Sequence, residues 1–387
     1  MSSMSKLKVL QEKEERDEKT ANLKYIFDIK FAHYEKTHRI DRHVINTINW
    51  LTKCRTSKLG GWKLTCECGE EVIMYKSCHN KSCPACNGYE NKKWLEFHRE
   101  RLVDTKYLHM VFVLPEELNE IFMKNKKEMT KLFFDVVQKI LKKRYKGMTG
   151  GVIMTEHTEG SVLTLHHHLH CLVMLGAYDE KTGKFVKIGL NNYKVSDIKK
   201  EFEEEYKKGY KKIEKNLKRS VMDKEIDGLE KFGVWKEKKY GNSAEAVLGY
   251  FAKGVRGGSI SNDRILKVTE DVVNFAYKNE QTKGEWEVMK LDIDEFIKRV
   301  LLHIPAEKQK QVRKTGVYAS SKRKVLEKCK EEVEGKVIEL KTKKEKKTSE
   351  REQGEKFVIV CPKCGKEMKI REEIPPVHSE REIKKAS

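Results

Sequence analysis

The sequence predicts an α+β protein: a central antiparallel sheet flanked by helices, preceded by a small zinc-binding module and followed by a basic helical tail. Three observations carry this prediction. Two β-type runs, Val152-Ile153-Met154-Thr155 and Leu165 to Val173, face each other across a turn at Glu159-Gly160 and read as an antiparallel hairpin. Charged stretches with apolar residues at helical spacing surround that hairpin. Six of the ten cysteines fall between positions 54 and 86, where short β-type runs and glycines replace the helical pattern.

Taken in order, residues 1–53 lack Pro and Gly and place Leu23, Ile26, Phe27 and Phe31 at helical spacing, which predicts two helices. Residues 54–90 form the cysteine-rich module, with Gly60-Gly61 and the run Val72-Ile73-Met74-Tyr75. A larger domain, 91–305, begins with a helix from Asn91 carrying Trp94, Leu95, His98 and Leu102. The strand Leu108 to Leu114, stopped by Pro115, comes next, then two helical stretches and the hairpin. Residues 195–240 are rich in Lys and Glu, with Tyr206 and Tyr210 at i, i+4, and are expected to form a solvated helical insertion. A helix over Ala244 to Lys253, strands at Ile265 to Val268 and Val272 to Tyr277, and a helix from Asp294 to His303 complete the domain. Residues 306–387 read as a basic C-terminal region in which a charged linker of low complexity, Lys341 to Lys356, ends in Cys361-Pro362-Lys363-Cys364.

The 387-residue chain carries 81 Lys and Arg against 60 Asp and Glu, a formal net charge of +21, which suits a polyanionic partner that releases counterions on contact. No run approaches the roughly 18 apolar residues of a membrane helix, and the N-terminal residues lead into charge, not into the apolar core of a signal peptide. No membrane partner is expected. With no export signal, the cysteines read as metal ligands in a reducing compartment.

Zinc takes four tetrahedral thiolate or imidazole ligands, and closely spaced cysteines on tight turns present two sulfurs to one ion. Cys83-Pro84-Ala85-Cys86 and Cys66-Glu67-Cys68 are such pairs, so the expected structural zinc site is Cys66, Cys68, Cys83 and Cys86, with Cys78 the first substitute. Cys54 and His79 are candidates for a second site. Cys361 and Cys364 are further candidate ligands, with only Cys329 and His378 near them in sequence.

The run His166-His167-His168-Leu169-His170 holds four of the chain's 13 histidines. Alternate side chains of a strand share a face, so His166, His168 and His170 point one way and Leu169 the other. His168 and His170 are the expected pair on a divalent ion. Glu156, His157, Glu159 and His166 are candidates for a third ligand.

His-apolar-His on a buried strand resembles the metal-binding half of the HUH nucleases, which cut single-stranded DNA with a tyrosine. That chemistry needs a divalent ion, a hydroxyl nucleophile and positive charge at the phosphate. Tyr250 supplies the hydroxyl and Lys253, three residues on, the charge on the same helical face. Cys54-Arg55-Thr56, Leu59-Gly60-Gly61 and Ser77 to Cys86 then resemble the zinc-binding module of the insertion sequence ninety-one type rolling-circle transposases. Phe112-Val113-Leu114-Pro115, His157-Thr158, the His strand, Tyr250, Ser259 to Arg264, Asp294 to Arg299 and Leu301-Leu302-His303 follow in that family's order.

The resemblance covers about residues 20–330. It implies nicking of one DNA strand at an element end, a 5′-phosphotyrosine, a free 3′-hydroxyl and strand transfer. It also implies structural Zn²⁺, catalytic Mg²⁺ or Mn²⁺, single-stranded DNA and element-end hairpins as partners, a homodimer as a candidate assembly, and a bacterial cytoplasmic location on the nucleoid when acting. In that family a second tyrosine commonly lies four residues after the first, and here that position is Gly254. A plasmid or phage rolling-circle replication initiator and a catalytically inactive zinc-dependent DNA-binding relative are the alternative readings.

Overall fold

A computed structural model describes residue 9 and residues 12–218, 225–238, 243–255, 258–279, 282, 284–340 and 359–377. Two helices open it, α1 (Leu23–Thr37) and α2 (Arg42–Lys53). The Asn22 side chain caps α1 by accepting from the Tyr25 amide at 2.9 Å. The cysteine-rich segment follows with strands β1 (Gly61–Thr65) and β2 (Glu71–Tyr75). Then come α3 (Asn87–Arg99), β3 (Tyr107–Val113), α4 (Asn119–Lys124), α5 (Lys126–Lys143), β4 (Thr149–Glu159), β5 (Leu165–Asp179) and β6 (Lys184–Lys187). The chain continues through α6 (Val195–Ile213), β7 (Gly233–Lys236), α7 (Ala244–Val255), β8 (Ile265–Val268), β9 (Val272–Asn279), β10 (Glu285–Asp292) and α8 (Ile293–Leu302). It ends with β11 (Val312–Gly316), α9 (Arg323–Glu334) and β12 (Lys369–Ile374).

The central sheet has the order β11-β4-β5-β3-β7, with β6 beside the end of β5, and its pairings are antiparallel. Both faces are covered, and strand alternation decides what each face holds. Val152 and Met154 of β4, Leu169, Cys171 and Val173 of β5, and Met110 and Phe112 of β3 pack into the largest core, under α5 and α6. Their neighbours Ile153, Leu172, Met174 and Tyr107 face the other way, onto Val247, Leu248, Phe251 and Ala252 of α7. Two smaller sheets flank this body: β8-β9-β10, packed with α1 and α8, and β12-β1-β2 in the cysteine-rich module.

Two expectations change. Residues 195–240 do not form a solvated helical insertion: α6 ends at Ile213, β7 joins the central sheet, and Ile198, Phe202, Tyr206 and Tyr210 are buried. Four apolar or aromatic residues at a strict i, i+4 period form a stripe that closes on α5, and the Lys and Glu residues occupy the other face. The C-terminal region is not a helical tail either, since it contributes β11 to the central sheet and β12 to the module that β1 opens. Residues 341–358, which include the expected linker, and His378 lie outside the described residues.

Phe202 has ring centroids 5.3 Å from Phe112 and 5.5 Å from Phe232. Phe202→Ala is expected to destabilise the protein by about 3–5 kcal/mol, read as a lowered midpoint in denaturant unfolding. A solvated helix would show almost no change.

Candidate active site and metal clusters

On the face of the sheet beneath α7, two adjacent strands carry His157, His168 and His170. Thr155 pairs with His170 and His157 with His168 across the β4–β5 ladder. Side chains at those positions share a face, so the imidazoles of His157, His168 and His170 converge, with one ring nitrogen of each within 4.8 Å of the others. His168 Nδ1 lies 2.6 Å from the His166 carbonyl oxygen. A carbonyl can only accept, so Nδ1 carries the proton and His168 Nε2 is the nitrogen with a lone pair to offer. His157 Nε2 is buried with no hydrogen-bond partner among the described residues.

Helix α7 brings Tyr250 over this group. Its hydroxyl is 3.2 Å from His170 Nε2 and 3.5 Å from His157 Nδ1. Burial on the same helix of Val247, Leu248 and Phe251 against the sheet holds the tyrosine there, and a bidentate pair from Arg99 of α3 to Glu245, at 2.7 Å for both bonds, steadies its first turn. Lys253 lies on α7, but its side chain is outside the described residues.

Burial keeps the imidazoles neutral. It pushes His168 down to about 4 and His157 and His170 well below the usual histidine range, and neighbouring imidazoles add to the effect. A neutral imidazole is the form that binds a metal ion. Three converging neutral donors, one with an orphaned nitrogen, therefore fit a divalent cation.

The other sequence candidates for a third ligand face elsewhere. Glu156 points to the opposite side of β4, where its carboxylate accepts from Thr130 Oγ1 at 3.0 Å and Gln309 Nε2 at 2.9 Å. Glu159 takes the Thr158 amide at 3.2 Å, beyond an irregularity in the ladder. The His166 ring is 5.2 Å from that of His168 and is not in the converging group. His167, on the α5 side, stacks on Phe122 at 3.6 Å.

The cysteines assemble into two clusters instead of the single expected site. Cys83 and Cys86 join Cys54 and Cys78, while Cys66 and Cys68 join Cys361 and Cys364. His79 belongs to neither, and Cys329 is buried among Tyr318 and Leu326. The separation has a local cause: β1 and β2 form a hairpin whose turn carries Cys66 and Cys68 to one end, while Cys54 and Cys78 flank its open end. In the first cluster the sulfurs of Cys54 and Cys86 are 3.4 Å apart and those of Cys78 and Cys86 3.6 Å. Backbone amides of Cys78 and Asn80 point at the sulfurs of Cys54 and Cys78, both at 3.5 Å. Hydrogen bonds from the other three thiols hold Cys86 far below the usual thiol range, and the same crowding drives Cys78 and Cys83 up.

A family model described as "Transposase zinc-binding domain" matches residues 26–114, and one described as "Putative transposase" matches residues 151–325. The chain belongs to the insertion sequence ninety-one type transposases. Among curated relatives, the "Putative transposase y4qJ" of Sinorhizobium fredii is 27% identical over 312 residues, 74% of this chain and 78% of the relative. The transposase for insertion sequence element IS801 of Pseudomonas savastanoi pv. phaseolicola is 24% identical over 293 residues, 71% of this chain and 70% of the relative. No solved structure matches. The chain is thus a DNA-processing enzyme of the transposase class with a structural zinc-binding domain, and no helix among the described residues is long and apolar enough to cross a membrane.

One residue of the candidate site was missed from sequence. His109, on β3, places Nε2 2.9 Å from His170 Nδ1. Its signal was a lone histidine in an otherwise apolar strand, on the α7-facing parity with Tyr107. Burial pushes it down to about 4, so it too is neutral.

Glu156, fully buried, is pushed up to about 7 by loss of hydration, against the opposing pull of Thr130 and Gln309. A carboxyl whose folded value lies above its unfolded one costs stability as pH rises from about 4.5, and the cost levels off above about 7. Glu156→Gln is therefore expected to raise stability at pH 8 by on the order of 1–3 kcal/mol, read as a higher thermal midpoint, with the gain gone near pH 4.5. A constant difference across that range would contradict the assignment.

Proposed function

We propose that this transposase nicks single-stranded DNA at its element ends, with Tyr250 as the nucleophile and His157, His168 and His170 as ligands of a divalent ion, Mg²⁺ or Mn²⁺. The observation that carries this reading is the Tyr250 hydroxyl lying 3.2 Å from an imidazole nitrogen of the converging triad. A nucleophile this close to the ligand set meets a phosphate oriented by the same group. The ion, when bound, polarises the scissile phosphate as a Lewis acid.

The chain's own residues do the rest. The phenolic oxygen attacks phosphorus, the bond to the 3′ oxygen breaks, and the strand is left with a 3′-hydroxyl and a 5′-phosphate esterified to Tyr250. The phenolic proton passes to solvent or a neighbouring base, and the departing 3′ oxygen takes one up. His109 acts through His170: by accepting from Nδ1–H it fixes the tautomer whose Nε2 is free to bind. Lys253 is the proposed cation at the phosphate. With Gly254 in place of a second tyrosine, the 3′-hydroxyl of the first cut, or Tyr250 of a second copy in a homodimer, completes strand transfer. Element-end hairpins are the proposed DNA form, and the nucleoid the place of action. Cys54, Cys78, Cys83 and Cys86 are the proposed ligands of one structural zinc.

Tyr250→Phe is expected to keep binding to a single-stranded oligonucleotide while the covalent protein–DNA adduct falls by several orders of magnitude. Adduct at wild-type yield would refute Tyr250 as the nucleophile. Joint replacement of His157, His168 and His170 by Ala is expected to abolish Mg²⁺- or Mn²⁺-dependent nicking and leave zinc content, measured by elemental analysis, unchanged. Loss of zinc in that variant would place the histidines in a structural site.

A further inference from the structure

Cys361 and Cys364 fall beyond both matched regions, yet they meet Cys66 and Cys68 across almost the whole chain. We propose that these four cysteines hold a second zinc ion, and that this ion clasps β12 onto β1, so that two distant segments of the chain form one zinc ribbon.

The sulfurs of Cys66 and Cys364 are 3.4 Å apart, and those of Cys68 and Cys361 3.6 Å. A disulfide needs about 2.05 Å. The edge of a tetrahedron with Zn–S bonds of about 2.3 Å is about 3.8 Å, and the observed pairs lie near it. Four thiols without an open position are a closed, soft site, which selects a thiophilic ion over a hard one.

The two halves are built alike. Each begins with a cysteine whose amide donates back across a turn, Cys66 to the Glu70 carbonyl at 2.9 Å and Cys361 to the Lys366 carbonyl at 2.8 Å. Each turn contains a glycine in the left-handed region just after the second cysteine, Gly69 at φ 88° and Gly365 at φ 73°. The turns aim both sulfurs of a pair at one point, the arrangement that two-plus-two metal ligation requires.

Among the described residues, mainly surface contacts otherwise hold the C-terminal segment in place, among them Arg371 to Thr65 and the ion pairs of Lys366 and Lys369 with Glu67. The ribbon's own core is Leu64, Cys66, Cys361 and Met368, with Trp62, Val72, Met74 and Ile359 only partly buried against it, and the residues of β12 are exposed apart from Ile374. The ladder Gly61↔Ile374 to Thr65↔Lys369 and the ion pair of Lys76 with Glu373 lie at the surface, where such contacts contribute little. So small a core does not order a three-stranded sheet unaided, and metal ligation supplies the difference. Two of the clasp's four cysteines, Cys68 and Cys364, are exposed and two buried, whereas in the other cluster Cys54, Cys83 and Cys86 are buried and Cys78 is half-buried. The clasp zinc is therefore the first that a chelator removes.

The test uses the full chain with a site-specific protease sequence inserted between residues 340 and 359. Elemental analysis is expected to give two zinc ions per chain, and one in the Cys361→Ser, Cys364→Ser double variant. After cleavage, the C-terminal fragment is expected to co-elute with the body in size-exclusion chromatography and to separate once the first equivalent of zinc is chelated. In the double variant it separates without chelator. One zinc in the wild type, two or none in the double variant, or a fragment that stays attached after the first equivalent is removed would overturn the proposal. None of these readouts depends on nicking, so the clasp and the active-site reading stand or fall separately.

Discussion

The site depends on one register. β4 and β5 pair so that Thr155 lies opposite His170 and His157 opposite His168, in a sheet buried on both faces. Because side chains alternate with a period of two, a slip of one residue would turn the histidines toward α5 and drive Leu169, Cys171 and Val173 under α7. The apolar residues between the histidines thus hold the polar ones in position. Leu169 and Cys171 are fully buried in the larger core, and a shifted ladder would put imidazoles in their place among apolar side chains.

Burial then sets the chemistry. The same packing that fixes the register strips water from four imidazoles, counting His109, and pushes each of them toward the neutral form. A solvent-exposed cluster of histidines would carry part of its charge near neutral pH and repel a cation. Here the electrostatic cost of protonation falls on the protein, and the lone pairs are left for a ligand. Helix α7 seals the face with Phe251 and Leu248 and delivers Tyr250 at the rim, half-exposed and within reach of a strand arriving from solvent.

Much of this was legible in the chain. The alternation from Leu165 to Val173 identified the strand, its face and the pair His168 and His170, and the helical pattern from Ala244 placed Tyr250. What could not be read was contact between segments distant in sequence. His157 was one of four candidates because sequence does not reveal how the Glu159-Gly160 turn sets the ladder, and only parity opposite His168 separates it from Glu156. His109 gave no sign of its partner on β5. The stripe Ile198, Phe202, Tyr206, Tyr210 was present in sequence but outweighed by the surrounding Lys and Glu, which occupy the opposite face of the same helix. The cysteines were misgrouped for the same reason: proximity in sequence paired Cys66 and Cys68 with Cys83 and Cys86, and the β1–β2 hairpin carries those pairs apart.

The two kinds of cluster divide the metal chemistry by donor type. Eight thiols in two closed sets favour a soft or borderline ion and leave no position for a substrate. Three imidazoles beside a tyrosine hydroxyl are an incomplete set, and an incomplete set is what a phosphate oxygen can complete. Mixing the donors would defeat both purposes, since a thiolate in the active site would retain zinc and close the open position, and an imidazole in the ribbon would leave it sensitive to protonation. The separation of the two donor types, with both Cys clusters outside the central sheet and every imidazole of the triad inside it, would let one polypeptide hold a scaffold metal tightly while the proposed reactive site stays free to exchange ligands.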